Sequence, residues 1–284
     1  MGLGSFFWLI FIAATFLYPA YRQQQLVRRR YSTLARLGKR RGSQVITLIH
    51  RQESFNLLGI PITRFINIED SEQILRAIRL TPGDVPIDVV LHTPGGLVLA
   101  SEQIARAIRK HPARVTVFVP HYAMSGGTLL ALAADELVVD ENAVLGPIDP
   151  QIGTYPAASI LAVTQQKDRN RVSDETLILA DIARKAMSQI KDTVYEILVD
   201  RLGDDRAREV AGVLTAGHWT HDYPVTRVFL EQLGIPVRLG LPREVYELME
   251  LYPQPPQRRP SVQYVPLPRG QDTGLTHLLG REWE

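Results

Sequence analysis

Residues 85–134 read VPIDVVLHTPGGLVLASEQIARAIRKHPARVTVFVPHYAMSGGTLLALAA. The stretch is a strand, a glycine loop and a helix, followed by the same three again. Val85–His92 and Arg114–His121 are near-continuous apolar runs, the pattern of strands buried on both faces. The first opens into His92-Thr93-Pro94-Gly95-Gly96, the second into Ala123-Met124-Ser125-Gly126-Gly127-Thr128. Helical patterns follow, from about Leu97 to Lys110 and from the second loop to Ala134. Consecutive parallel strands need helical crossovers, so the fold class is α/β, a parallel sheet covered by helices.

Outward from this centre the alternation continues. Gln44–Arg51 and Pro61–Ile68 read as strands, and Asp70 with Ser71 supplies an N-cap for a helix over Glu72–Arg79. Glu136–Asp140 is a further strand, and Glu141–Gln166, with little regular signal, reads as a loop. A long helix is predicted from about Asp174 to Arg201. Gly212–Pro224 reads as irregular and Thr226–Leu233 as a helix ending at Gly234. These elements make one domain over 44–251. The chain then turns to PQPPQRRPSVQYVPLP, a proline density that forms no packed core, so 252–284 reads as a Pro-rich tail.

The chain has 284 residues, 45% hydrophobic and 22% charged, which excludes collagen-like, wholly disordered and multi-span membrane proteins. It has no cysteine, so disulfides, thiolate metal sites and cysteine nucleophiles are excluded and the redox compartment is left open. The formal charge of +2 averages two unlike parts. Residues 1–41 carry eight basic side chains and no acidic one, while the remainder carries 24 basic and 30 acidic groups. Residues 1–21 hold no charge, and Phe6–Tyr18 is almost wholly apolar. A helix rising about 1.5 Å per residue crosses a bilayer core in about 20 residues, a length that Gly2–Tyr21 supplies. A cleaved signal peptide begins with a basic stretch, and none precedes this one. The expectation is a transmembrane signal anchor over 1–21, single-pass. A basic juxtamembrane arm over 22–43 then meets anionic membrane lipids rather than nucleic acid. The positive-inside rule places the body in the cytoplasm.

The two glycine loops leave adjacent parallel strands at their carboxyl edge, where α/β proteins build their sites. Glycines let backbone N–H groups approach a ligand, and a helix N-terminus adds unpaired donors, so the pair makes an oxyanion hole. Ser125 stands where a nucleophile on a strand-to-helix turn stands. Either loop alone reads as a glycine turn with Ser125 as a helix cap, and it is their succession that carries the signal. No nucleotide-binding glycine motif is present, and no spacing of His and carboxylates predicts a metal, so no cofactor is expected.

TPGG followed by AMSGGT resembles the Clp protease proteolytic subunit and signal peptide peptidase A, both of the ClpP/crotonase fold. The blocks HTPGGLVLASEQIARAI, VPHYAMSGGTLLALAADE, VLGPIDPQIG and GHWTHDYP are closer still to the SDH-type (serine dehydrogenase proteinase) Clp-fold family. The resemblance runs from about His50 to Val237. It implies stacked ββα units and a serine-peptidase site, with Ser125 as nucleophile and the N–H of Gly95 or Gly96 and of Gly126 as oxyanion donors. By analogy with ring-forming relatives it also implies a homo-oligomer.

A serine nucleophile needs a base. The Clp subunit's His would fall at Gly146-Pro147-Ile148-Asp149-Pro150, which has none; Asp149 reads as a loop-fixing residue. Signal peptide peptidase A uses a lysine, and this chain has five. Lys167, just before the long helix, is the first candidate and Lys185 within it the second. His221 with Asp222, in the block where the Clp subunit's Asp falls, is the third. His92 and His121 read as a core histidine and a strand-end pin. The resulting expectation is a membrane-anchored serine peptidase of Ser-Lys type, acting on peptides or membrane-protein segments by acyl transfer. The alternatives are a non-catalytic scaffold of the same fold and crotonase-like acyl-thioester chemistry, which has no need of Ser125.

Overall fold

The computed structural model describes residues 18–50, 55–57, 60–62 and 65–252, with Trp8 and Thr15 before them. The expected anchor thus lies, but for its last residues and those two, outside the described residues, as does the tail after Tyr252. Among the described residues no helix is long and apolar enough to cross a membrane.

The elements follow in order. First come α1 (Tyr18–Arg41), β1 (Gln44–Ile49), β2 (Phe55–Leu57), β3 (Ile60–Ile62), α2 (Ile68–Leu80), β4 (Ile87–His92) and α3 (Val98–Lys110). Next are β5 (Val115–Val119), β6 (Tyr122–Ala123), α4 (Gly126–Ala133), β7 (Glu136–Val139), β8 (Val144–Leu145), β9 (Gln151–Ile152) and β10 (Tyr155–Pro156). Then come α5 (Ala157–Gln166), α6 (Asp174–Leu202), α7 (Asp204–Thr215), β11 (Val225–Thr226), α8 (Arg227–Gln232), β12 (Val237–Leu239) and α9 (Arg243–Glu250).

Five parallel strands, ordered β1-β4-β5-β7-β12, form the central sheet. Their side chains alternate between two apolar layers, as period-two strands require. Ile87, Val89 and Leu91 of β4, with Val115, Val117 and Val119 of β5, pack against α2, α3, α4, α6 and α7. Val90, Phe118 and Val138 point the other way, onto Leu37 of α1 and Val245 and Leu248 of α9. The expected parallel α/β sheet is therefore present.

The basic arm joins that second layer. Arg36 pairs with Glu247 and Arg40 with Glu244 at 2.8 Å, both on α9, while Arg41 meets the buried Asp88 of β4 at 2.6 Å. The preceding turns of α1 stand clear: residues 21–29 are exposed apart from the half-buried Leu26.

Several expected elements differ. Pro61–Ile68 is not one strand: Ile60–Ile62 closes a hairpin on Phe55–Leu57, and Ile68 already begins α2. The helix starts before Glu72 because Asn67 forms a capping box, accepting the Asp70 N–H while Asp70 accepts the Asn67 N–H, each at 3.0 Å. Glu141–Gln166 is not a plain loop either, since it holds β8, β9, β10 and α5.

β8 positions the site. It runs parallel to β6, with Ala123 opposite Leu145, and antiparallel to β11, with Val225 opposite Leu145. Chain leaving β6 toward Ser125, chain leaving β8 toward Asp149 and chain entering β11 from His221 therefore meet at one end of this small sheet.

Candidate active site

Ser125 precedes α4 with φ 50° and ψ −114°, and among the described residues it is the one non-glycine with positive φ. Such a conformation costs about 1–3 kcal/mol and persists only where its surroundings enforce it. Here they do: the Met124 N–H donates to the Thr93 carbonyl at 2.9 Å, and the Gly127 N–H to the Met124 carbonyl at 2.7 Å. Gly95, at φ 101°, lies so close that a Cβ on it would sit 2.8 Å from the Ser125 Cβ.

The first glycine loop supplies donors selectively. Gly96 is bridged in parallel to Ile66: the Ile66 N–H donates to Gly95 at 2.7 Å, and the Leu97 N–H donates to Ile66 at 2.8 Å. The Gly95 N–H donates to Thr93 Oγ1 at 3.2 Å. The N–H of Gly96 thus points away from Ile66, and its nitrogen lies 3.6 Å from where a Gly126 Cβ would be. Gly126 opens α4, where a helix leaves its N–H groups without intrahelical partners. Gly96 and Gly126 are therefore the pair with N–H groups beside Ser125, and Gly95 shapes the loop.

A cavity of about 20 Å³ opens between the loops, lined on its polar side by Gly96, Ser101, Ser125, Gly126 and Asp149. Asp149, its side chain only 2% exposed, lies 2.7 Å through Oδ1 from His221 Nδ1, and Gln151 Nε2 donates to its Oδ2 at 2.7 Å. The hydrogen bond to Asp149 raises the His221 pKa above its ordinary 6.5, against a smaller opposing effect of burial. Thr128 fixes the loop that carries Asp149. Its Oγ1 lies 2.9 Å from the Ala123 and Gly146 carbonyls and accepts the Gly146 N–H at 3.0 Å.

The other candidates stand elsewhere. Lys167 is the exposed C-cap of α5. Lys185, 70% exposed, pairs with Asp181 of its own helix at 2.6 Å. Neither lines the cavity, and both are exposed. Asp222 is exposed and bonded first to Thr220, so its hydrogen bonds do not orient His221. His92 is buried against Tyr122 and edge-on to His121. Asp149 was invisible as a site residue because its partner lies 72 residues away. The usable signal was Leu145 and Val225, apolar runs that pair through β8 and β11. Among the described residues no three His, Asp or Glu side chains cluster as a metal site requires.

A strained serine near backbone N–H donors and a carboxylate–imidazole pair is the set of groups that serine hydrolases use. Residues 1–275 match the family described as ClpP-like SDH-type serine proteinase, and the chain belongs to that family. Two uncharacterized proteins of Methanocaldococcus jannaschii are similar over nearly their full length. One is 57% identical over 92% of this chain and 89% of its own, the other 52% identical over 96% and 95%. ClpP1 from Listeria monocytogenes aligns with 70% of this chain and 92% of its own at TM-score 0.44 and 15% identity, a likeness too distant to carry an argument.

Proposed function

We propose that the protein is a membrane-anchored serine peptidase in which Ser125 is the nucleophile and the Asp149–His221 pair receives its proton. The observation that carries this reading is the convergence of Ser125, the Gly96 and Gly126 N–H groups and Asp149 on one small cavity. As Ser125 Oγ bonds to a peptide carbonyl carbon, the carbonyl electron pair moves onto oxygen, which the two N–H groups stabilise. The serine proton passes to the Asp149–His221 pair and then to the departing amine. Water repeats the sequence to release the acid from acyl-Ser125 and restore the serine.

The pair replaces the lysine expected from sequence. It also interchanges two places in the resemblance, with the carboxylate where the Clp subunit's His would fall and the imidazole where its Asp would fall. Asp149 lines the cavity and His221 stands behind it.

Anchoring rests on the apolar Gly2–Tyr21 and on α1, whose first turns stand clear of the body and carry Arg22, Arg28 and Arg29 toward lipid head groups. Substrates are then peptides or membrane-protein segments at the cytoplasmic face, handled by a homo-oligomer. Hydrolysis of unstructured protein substrates by wild type, abolished in Ser125→Ala, is the expected result. Equal hydrolysis by Ser125→Ala would remove the proposal, and none by either variant in folded oligomer would favour the scaffold.

A further inference from the structure

Ser101 sits on α3, one turn after the first glycine loop, and nothing in the mechanism above uses it. It is 1% exposed, and its hydroxyl has no hydrogen-bond partner among the described residues. A serine in a helix ordinarily turns its hydroxyl back to the carbonyl four residues earlier. Here that carbonyl, of Leu97, takes the Ser101 backbone N–H at 3.0 Å and not the hydroxyl. The hydroxyl instead packs on Gly126 so closely that any Cβ there would overlap it, and it lines the same cavity as Ser125, Gly96 and Asp149. Alanine would fill this space without leaving a polar group sealed from water, so the hydroxyl has no packing role to explain it.

We infer that Ser101 Oγ–H is a third donor to the oxyanion, acting beside the N–H groups of Gly96 and Gly126. The hydroxyl shares this cavity with Gly96 and Gly126, so the three donors line one space. The hydroxyl is a donor whose acceptor arrives only with substrate, and its oxygen is held in place by packing on Gly126. Such donors act where charge develops and require no reorganisation as it appears. Ser101 keeps its proton throughout: it donates a hydrogen bond to the oxygen that gains the carbonyl electron pair and makes no covalent bond. The inference rests on the reading of Ser125 as nucleophile.

The test is the rate at which an alkyl fluorophosphonate modifies Ser125 in the full-length protein, split into binding and inactivation steps. Ser101→Ala should slow the inactivation step about 100-fold, as loss of one oxyanion donor does, with reversible probe binding and melting temperature nearly unchanged. Ser101→Cys, close in size but a weaker donor, should fall between. Wild-type inactivation rates in both variants, or a change confined to probe binding, would overturn the assignment of Ser101 while leaving Ser125 in place. Failure of the wild-type protein to react at Ser125 would instead remove the peptidase reading beneath it.

Discussion

At the scale of single residues, the arrangement turns on which group accepts the Ser125 proton. The hydrogen bond that His221 Nδ1–H donates to the Asp149 carboxylate raises the His221 pKa above 6.5. The pair must be deprotonated to act as a base, so activity should fall as pH drops through its apparent pKa, and that acid limb should lie above 6.5. Asp149→Asn removes the partner that holds this pKa up. The limb should then move to lower pH while kcat drops by about 10²–10⁴-fold, both read from a pH–rate profile. Lys167→Ala and Lys185→Ala should retain wild-type kcat, and a collapse in either would return the base to lysine. Much of this site was legible in the chain itself. The run from Ala123 to Thr128 marked Ser125 because it repeats, one strand later, the glycine pair of the first loop, a succession that a helix cap alone does not require. Asp149 was not legible, because a carboxylate flanked by prolines looks the same whether it fixes a loop or faces a nucleophile. Its function depends on a strand pairing that joins Leu145 to Val225.

At the scale of elements, the helix that follows the apolar stretch is bound to the sheet by polar contacts as well as by Leu37. Arg41 meets Asp88, whose side chain is 2% exposed and also accepts the Ser43 hydroxyl at 2.6 Å. Arg41→Ala leaves that carboxylate buried with the hydroxyl alone. Stability should fall by about 3 kcal/mol, measured by urea unfolding, whereas Arg28→Ala, on an exposed turn, should change it little. The central strands were readable from their apolar runs because burial on both faces leaves no alternation to confuse. The segment over 141–166 was not readable. Its strands are two residues long, and α5 follows Pro156, which offers no side-chain cap, so the usual start signal is missing. The start of α2 was misplaced for the opposite reason. Asn67 and Asp70 cap it reciprocally, and Asp70, a cap residue by type, is the third helical residue.

At the scale of the whole molecule, the anchor, the docked α1 and the site form one proposal about where proteolysis happens. Full-length protein should remain in the membrane pellet after alkaline carbonate washing, and a variant lacking residues 2–17 should be released. Retention of that variant would assign membrane binding to α1 alone, and release of the full chain would remove the anchor. The family gives the chemistry in outline, as a serine proteinase, and the proposal assigns it to one atom, Ser125 Oγ. Mass-spectrometric mapping of a fluorophosphonate adduct on the full-length protein tests that assignment most directly. One adduct on Ser125 is expected, absent from Ser125→Ala and formed far more slowly in Asp149→Asn. Folded wild-type protein that carries no adduct on Ser125, or one that forms at the same rate without Asp149, would contradict it.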